Sequence, residues 1–145
     1  SVRDAQNISN DVSAYQQYIA RSKGEFSVAK QAYVKTRSGW FSDRSVCYLA
    51  AGRPVIVQDT GIGDWLTTGQ GVLTFSSMGQ AIDCLEQIDA DYASHCEAAK
   101  QIADQVFSYK VVLPRILEQS FSSMCSSAAV DTSIANGSTA PEQEL

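Results

Sequence analysis

Apolar residues at Val12, Tyr15, Tyr18 and Ile19 recur three and four apart. That spacing predicts an amphipathic helix, capped by Asn10 or Asp11, running to about Lys23 and stopped by Gly24. Residues 1–10 before it are polar and read as loop. Glu25-Phe26-Ser27-Val28-Ala29 alternates and predicts a short strand. Lys30 to Ser38 has no clean period; Tyr33-Val34 sits among polar residues that suit a loop. Ser42 or Asp43 caps a helix with Val46, Leu49 and Ala50 inward and Cys47 beside them. Gly52 is placed to take the left-handed position after that helix. Pro54 fits the first residue of a strand, and Val55-Ile56-Val57 is an unbroken apolar run. Such a run suits a parallel strand buried on both faces.

Thr60 to Gly71 holds four glycines and Trp65 and reads as a long loop. Gly71 to Phe75 predicts a third strand. Ser76 or Ser77 then caps a helix facing inward with Met78, Ala81, Ile82, Leu85 and Ile88. A further helix carries Tyr92, Cys96, Ala99, Ile102, Ala103, Val106 and Phe107 at helical period. Val111 to Leu117 predicts a last helix, with Pro114 in its first turn or kinking it. From Ser120 onward Ser, Ala, Thr and Gly dominate. That tail has too little apolar content to offset its ordering entropy and is expected to be disordered.

Alternating strands and helices place the chain in the α/β class. The expected architecture is a partial Rossmann-like domain over residues 1–119. It has a short parallel sheet of about three strands flanked by helices, a helical C-terminal region, and a disordered tail over 120–145. Two loops, one before Ser42 and one after Val57, then open on the same edge of the sheet. That edge is where doubly wound proteins hold nucleotides and sugar phosphates.

Composition narrows the function. The formal charge of −5 argues against a general nucleic-acid binder. Cys47, Cys84, Cys96 and Cys125 show no C-x-x-C spacing, so no zinc site is expected. The first three fall on apolar helix faces and read as reduced thiols of a cytoplasmic protein. No apolar run approaches the roughly 18 residues of a membrane span. The segment Ser1-Val2-Arg3-Asp4 lacks the apolar core of a secretory leader.

The candidate chemistry is anion binding. The loop ending at Ser42 offers amide donors at a helix N-terminus. Arg37 and Arg44 can each grip a phosphate bidentately, and Ser38, Ser42 and Ser45 can add hydroxyl contacts. Asp43 opposes an anion unless Arg44 neutralises it. Trp40 and Phe41 either stack on a base or sugar or pack beneath the loop. Asp59 either meets a ligand, with Thr60 and Gly61, or bonds loop amides as a turn residue. The loop glycines match neither a dinucleotide fingerprint nor a P-loop. His95, the one histidine, reads as a surface or boundary residue. Glu25 and Lys30 read as salt-bridged or solvated.

Three motifs in order resemble the last portion of a group 1-like GT-B glycosyltransferase. They are Ala50-Ala51-Gly52-Arg53-Pro54-Val55-Ile56-Val57-Gln58-Asp59-Thr60-Gly61, then Gly69-Gln70-Gly71-Val72-Leu73-Thr74-Phe75, then the helix with Ala81-Ile82 and Leu85. Lys23 to Lys30 and Arg37 to Ser45 are similar to a bacterial branch of that family. The likeness covers about Ser22 to Gln119, roughly two-thirds of the chain. It implies the C-terminal, nucleotide-sugar-binding domain, with the donor held by Arg37, Ser38, Gly39, Ser42, Asp43, Arg44, Ser45, Asp59, Thr60 and Gly61. The donor is a substrate, so no cofactor or metal is implied.

The glutamates that many retaining members carry fall here at Gly39 and Cys47, so their role does not transfer. The N-terminal acceptor domain of such an enzyme lies outside this chain, which by itself is expected to be inactive. The competing expectation is a non-catalytic interaction module that kept the fold. An unpaired sheet edge would then favour homo-oligomers.

Overall fold

The computed structural model describes Ile8 and residues 10–134, with side chains through Phe121. The expectations for most of residues 1–10 and for 135–145 lie outside the described residues. The chain divides into a unit of residues 1–107 and a second of residues 108–145. The first unit ends at Phe107.

In the first unit, α1 spans Val12–Arg21, and its N-cap Asp11 accepts from the Ala14 amide. It ends before Gly24, with Ser22 extended. Gly24 has another role: a Cβ there would sit 2.6 Å from the Pro54 carbonyl oxygen. That approach lets the Glu25 amide bond the same oxygen and start the sheet. β1 spans Glu25–Ser27, and the stretch without clean period contains a short helix, α2, Gln31–Lys35. α3 spans Asp43–Ala50 with Ser42 as N-cap. Gly52 follows at φ +67.

β2 is Val55–Gln58 and β3 is Val72–Phe75, joined by a loop holding one 3-10 turn, Ile62–Asp64. α4 is Met78–Ala90, capped by Ser77, and α5 is Tyr92–Ile102. The expected continuation of α5 to Phe107 is a π-turn, Ala103–Phe107.

The three strands lie in the order β1-β2-β3, all parallel, with Phe26 beside Ile56 and Ile56 beside Leu73. Val55, Val57 and Val72 face one layer, made with Ile19 of α1, Tyr48 and Leu49 of α3, and Ala99 of α5. Ile56, Leu73 and Phe75 face the other, made by Ala81, Cys84 and Ile88 of α4. Burial on both faces is what the apolar run of β2 requires.

Two inward faces differ from expectation. α3 buries Ser45, Tyr48 and Leu49, and leaves Cys47 and Ala50 exposed. The period is as expected but the stripe is rotated by one residue. α4 buries Ala81, Cys84 and Ile88, while Met78, Ile82 and Leu85 stay exposed. A helix over a three-strand sheet has too little apolar surface beneath it to cover the wider stripe.

His95 is buried, not peripheral: its Nδ1 accepts from the Gly71 amide at 3.3 Å. One turn earlier on α5, the Tyr92 hydroxyl accepts from Arg53 and donates to the Lys23 carbonyl, while Arg53 also donates to the Ala20 carbonyl. These bonds tie α1, β2 and α5 together.

The second unit is α6, Tyr109–Ile134, with Pro114 inside it beyond the first turn. The helix runs past Ser120 to Ile134, into the segment where the sequence predicts disorder. Ala is the best helix former and Ser costs only about half a kcal/mol, so serine and alanine without glycine or proline sustain a helix. No helix among the described residues is long and apolar enough to cross a membrane.

Candidate functional site at the C-terminal edge of the sheet

β2 hands the chain to a turn whose shape is set by two side chains. Asp59 Oδ1 accepts from the Gly61 amide at 2.8 Å, and Gly61 takes φ +85. Thr60, between them, is 1% exposed, and its Oγ1 donates to the Trp40 carbonyl at 2.7 Å. The Thr60 carbonyl accepts from the Gly39 amide at 2.8 Å. The loop before α3 and the loop after β2 are thus joined by reciprocal hydrogen bonds. They converge at the C-terminal ends of the parallel strands, as the sequence led one to expect.

Trp65 closes the arrangement. Its indole N–H donates to the Gly39 carbonyl at 2.9 Å. Gly39 sits at φ +69, and a Cβ there would press on that indole nitrogen at 3.0 Å. Phe41 stacks on Phe107 with ring centroids 5.7 Å apart and meets Trp65 edge-on. Trp40 stacks on Tyr33. Both aromatics of the loop are therefore engaged in packing that fixes the loop.

Arg37 is the cation of this edge. It holds a left-handed backbone, φ 47, against the turn, and a Cβ on Gly61 would lie 3.1 Å from its carbonyl oxygen. Its guanidinium faces Asp59 at 3.7 Å and Asp64 at 3.4 Å. Arg37 is itself more than half exposed, so these pairs are wet and exchangeable.

Arg44 does not join it. Its Nε donates to Glu25 Oε1 at 2.6 Å and its Nη2 to Ser27 Oγ at 3.0 Å, along the face of β1. The Glu25 hydrogen bond pushes the Arg44 pKa further up, so the group is permanently charged but already committed. Ser42 and Asp43 spend their oxygens on the Arg44 amide, capping α3. Ser45 is wholly buried beneath α3. Ser38 follows Arg37 into the turn, its amide bonded to the Tyr33 carbonyl.

The edge therefore gathers Arg37, Ser38, Gly39, Asp59, Thr60 and Gly61, with Ser42 and Asp43 at the helix start, and turns Arg44 and Ser45 away. Asp64 and Trp65 belong to it and were not singled out. Their signal was the glycine-punctuated loop, whose short 3-10 turn brings both side chains back over the rim. No group of three or more potential metal ligands occurs among the described residues. No protein-family model, curated protein or solved structure matches this chain.

Proposed function

We propose that the α/β unit is the donor-binding half of a sugar-transfer enzyme, holding a nucleoside-diphosphate sugar at the rim formed by residues 37–43 and 58–65. The observation that carries this reading is the double clasp between the two loops, Gly39 to Thr60 and Thr60 to Trp40. It sits at the edge where parallel sheets receive phosphorylated ligands. The resemblance of the same segments to the GT-B family supports it.

Arg37, rather than Arg44, is the cation that meets the diphosphate. A dianionic phosphate competes well for a half-exposed guanidinium held by exposed Asp64 and, at the longer distance of 3.7 Å, by half-buried Asp59. In transfer, the bond from the anomeric carbon to the phosphate oxygen breaks. The nucleoside diphosphate leaves with the electron pair, and Arg37 stabilises that charge. The acceptor-binding residues and any base belong to a partner domain.

A second reading is favoured by one observation. Both arginines of the region already face carboxylates, Arg44 on Glu25 and Arg37 on Asp59 and Asp64. A fold that has lost its donor and serves only as an interaction module has no use for a free cation. Calorimetric titration with UDP, GDP and their sugars separates the two. Saturable binding that Arg37→Ala abolishes and Arg44→Ala leaves within threefold supports donor binding. No heat with any of these nucleotides, in this chain or joined to an acceptor domain, supports the interaction module.

A further inference from the structure

A cavity of about 410 Å3 opens beside Trp65, between the loop leading into β3 and α5 with its π-turn. That volume falls within the range of small-molecule sites, about 300–1,000 Å3. No charged side chain lines it. Its polar lining is Thr67, Thr68, Gln70, Gln101 and Gln105. Of these, only Gln101 has a side-chain partner among the described residues: its Nε2 donates to Glu97. Amides and hydroxyls both donate and accept, which matches a ligand made of hydroxyl groups rather than one carrying charge.

Trp65 supplies the aromatic part of an apolar wall that also includes Leu66, Ala98, Ile102 and Val106. Its ring is half exposed, yet it is held in place by the bond to Gly39 and by edge-on contacts to Phe41 and Phe107. The face of an indole carries negative π density, and the C–H groups on one face of a pyranose are weakly positive. The cleft walls are fixed as well. A Cβ on Gly71 would sit 2.6 Å from the Ala99 amide nitrogen, so the end of the loop is seated directly on α5. The π-turn places Gln105 and Val106 in the opposite wall, and such turns recur at functional sites.

We infer that this cleft binds a neutral saccharide, with Trp65 under one sugar ring and Gln70, Gln101 and Gln105 bonding its hydroxyls. The site is separate in chemistry from the charged rim and does not rest on the donor reading. Trp65 is the wall the two share, through its bond to Gly39.

The test is a nitrogen-15 NMR titration of the chain with maltose, cellobiose and diacetylchitobiose, with UDP as the charged counter-probe. At least one disaccharide should give saturable shifts at the Trp65 indole and at the side-chain amides of the three glutamines. UDP should leave the glutamine amides unmoved. The double variant Gln101→Ala/Gln105→Ala, exposed positions whose fold is checked by circular dichroism, should weaken saccharide binding roughly tenfold. The inference is overturned if none of the disaccharides shifts these signals. It is equally overturned if the double variant binds as tightly as the parent. Saccharide shifts without any response of the Arg37 and Thr60 amides to UDP would remove the donor reading and leave this one standing.

Discussion

Arg44 Nε lies 2.6 Å from Glu25 Oε1, and the Glu25 side chain is only 5% exposed. A carboxylate that deep is tolerable only while its cation stays in place. Arg44→Ala is therefore expected to destabilise the α/β unit by about 2–3 kcal/mol. That is less than a fully buried pair would lose, because Arg44 itself is half exposed. Arg44→Lys should recover only part, since one ammonium cannot serve both Glu25 and Ser27 as the guanidinium fork does. Urea unfolding of the three proteins measures this. A midpoint for Arg44→Ala equal to the parent's would show that Glu25 finds another way to be satisfied.

Gly71 and Gly52 both have positive φ, but only one is crowded. At Gly71, φ +73, an added Cβ would lie 2.6 Å from Ala99 N and 2.9 Å from Ala98 C, all backbone. At Gly52, φ +67, the nearest atom within reach is the Cys96 carbonyl oxygen at 3.6 Å. Gly52→Ala should cost about 1–2 kcal/mol, the price of the left-handed backbone alone. Gly71→Ala should cost more, about 3–5 kcal/mol, because α5 must also move off the sheet. Thermal unfolding of the pair reads the difference, and equal losses would mean that α5 yields easily.

Burial pushes the Cys84 thiol and the Tyr48 phenol above their usual ranges, with Asp83 adding to the shift at Cys84. Each group holds its proton more firmly folded than unfolded. The unfolded state therefore sheds that proton first as pH rises, and stability falls. The loss should begin near about pH 8.5 from the thiol and steepen near about pH 10 from the phenol. Unfolding midpoints across that range measure it. Burial raises the Tyr15 and Tyr92 phenols too, so Tyr48→Phe should flatten the upper part of the curve only partly, and a parent curve that stays level would contradict the assignment. A thiol reagent should label exposed Cys47 well before buried Cys84.

The period of the apolar residues located every strand and nearly every helix of the α/β unit. Periodicity records which side of an element is greasy, so the unbroken apolar run of β2 by itself marks a strand buried on both faces. It does not record how much surface the neighbours offer. That is why Ile82 and Leu85 read as core and are exposed, and why Cys47 and Ser45 exchange places on α3. The site was legible to the same degree. Glycine positions and strand ends marked the two loops that meet. The partner of each arginine was not legible, because Glu25 lies 19 residues from Arg44, and Asp64 lies 27 residues from Arg37. Only the register of β1 on β2 and the 3-10 turn bring those pairs together.

Arg37 should matter little for stability. Its ion pair to exposed Asp64 at 3.4 Å and its longer one to half-buried Asp59 at 3.7 Å are worth about 1 kcal/mol or less together. Its left-handed backbone costs about 1–2 kcal/mol, which glycine would not incur. Arg37→Gly is accordingly expected to unfold within about 1 kcal/mol of the parent, and Arg37→Ala likewise. A loss above about 2 kcal/mol for Arg37→Gly would make this arginine a structural element rather than a ligand-facing one.

Thr60 is the residue on which the rim depends. Its hydroxyl is the donor to the Trp40 carbonyl, its own carbonyl receives the Gly39 amide, and it is almost fully buried. Thr60→Val keeps the volume and removes the hydroxyl, leaving the Trp40 carbonyl without that donor. The expected loss is about 1–2 kcal/mol. Thr60→Ser keeps the hydroxyl and should stay closer to the parent. The more specific signature is local. Amide exchange at Gly39 should accelerate in Thr60→Val far more than at Val57, because the clasp opens without unfolding the sheet. Parallel acceleration at both amides would instead mean that the loops and the core open as one unit, and the rim would then not be an independently held feature of the fold.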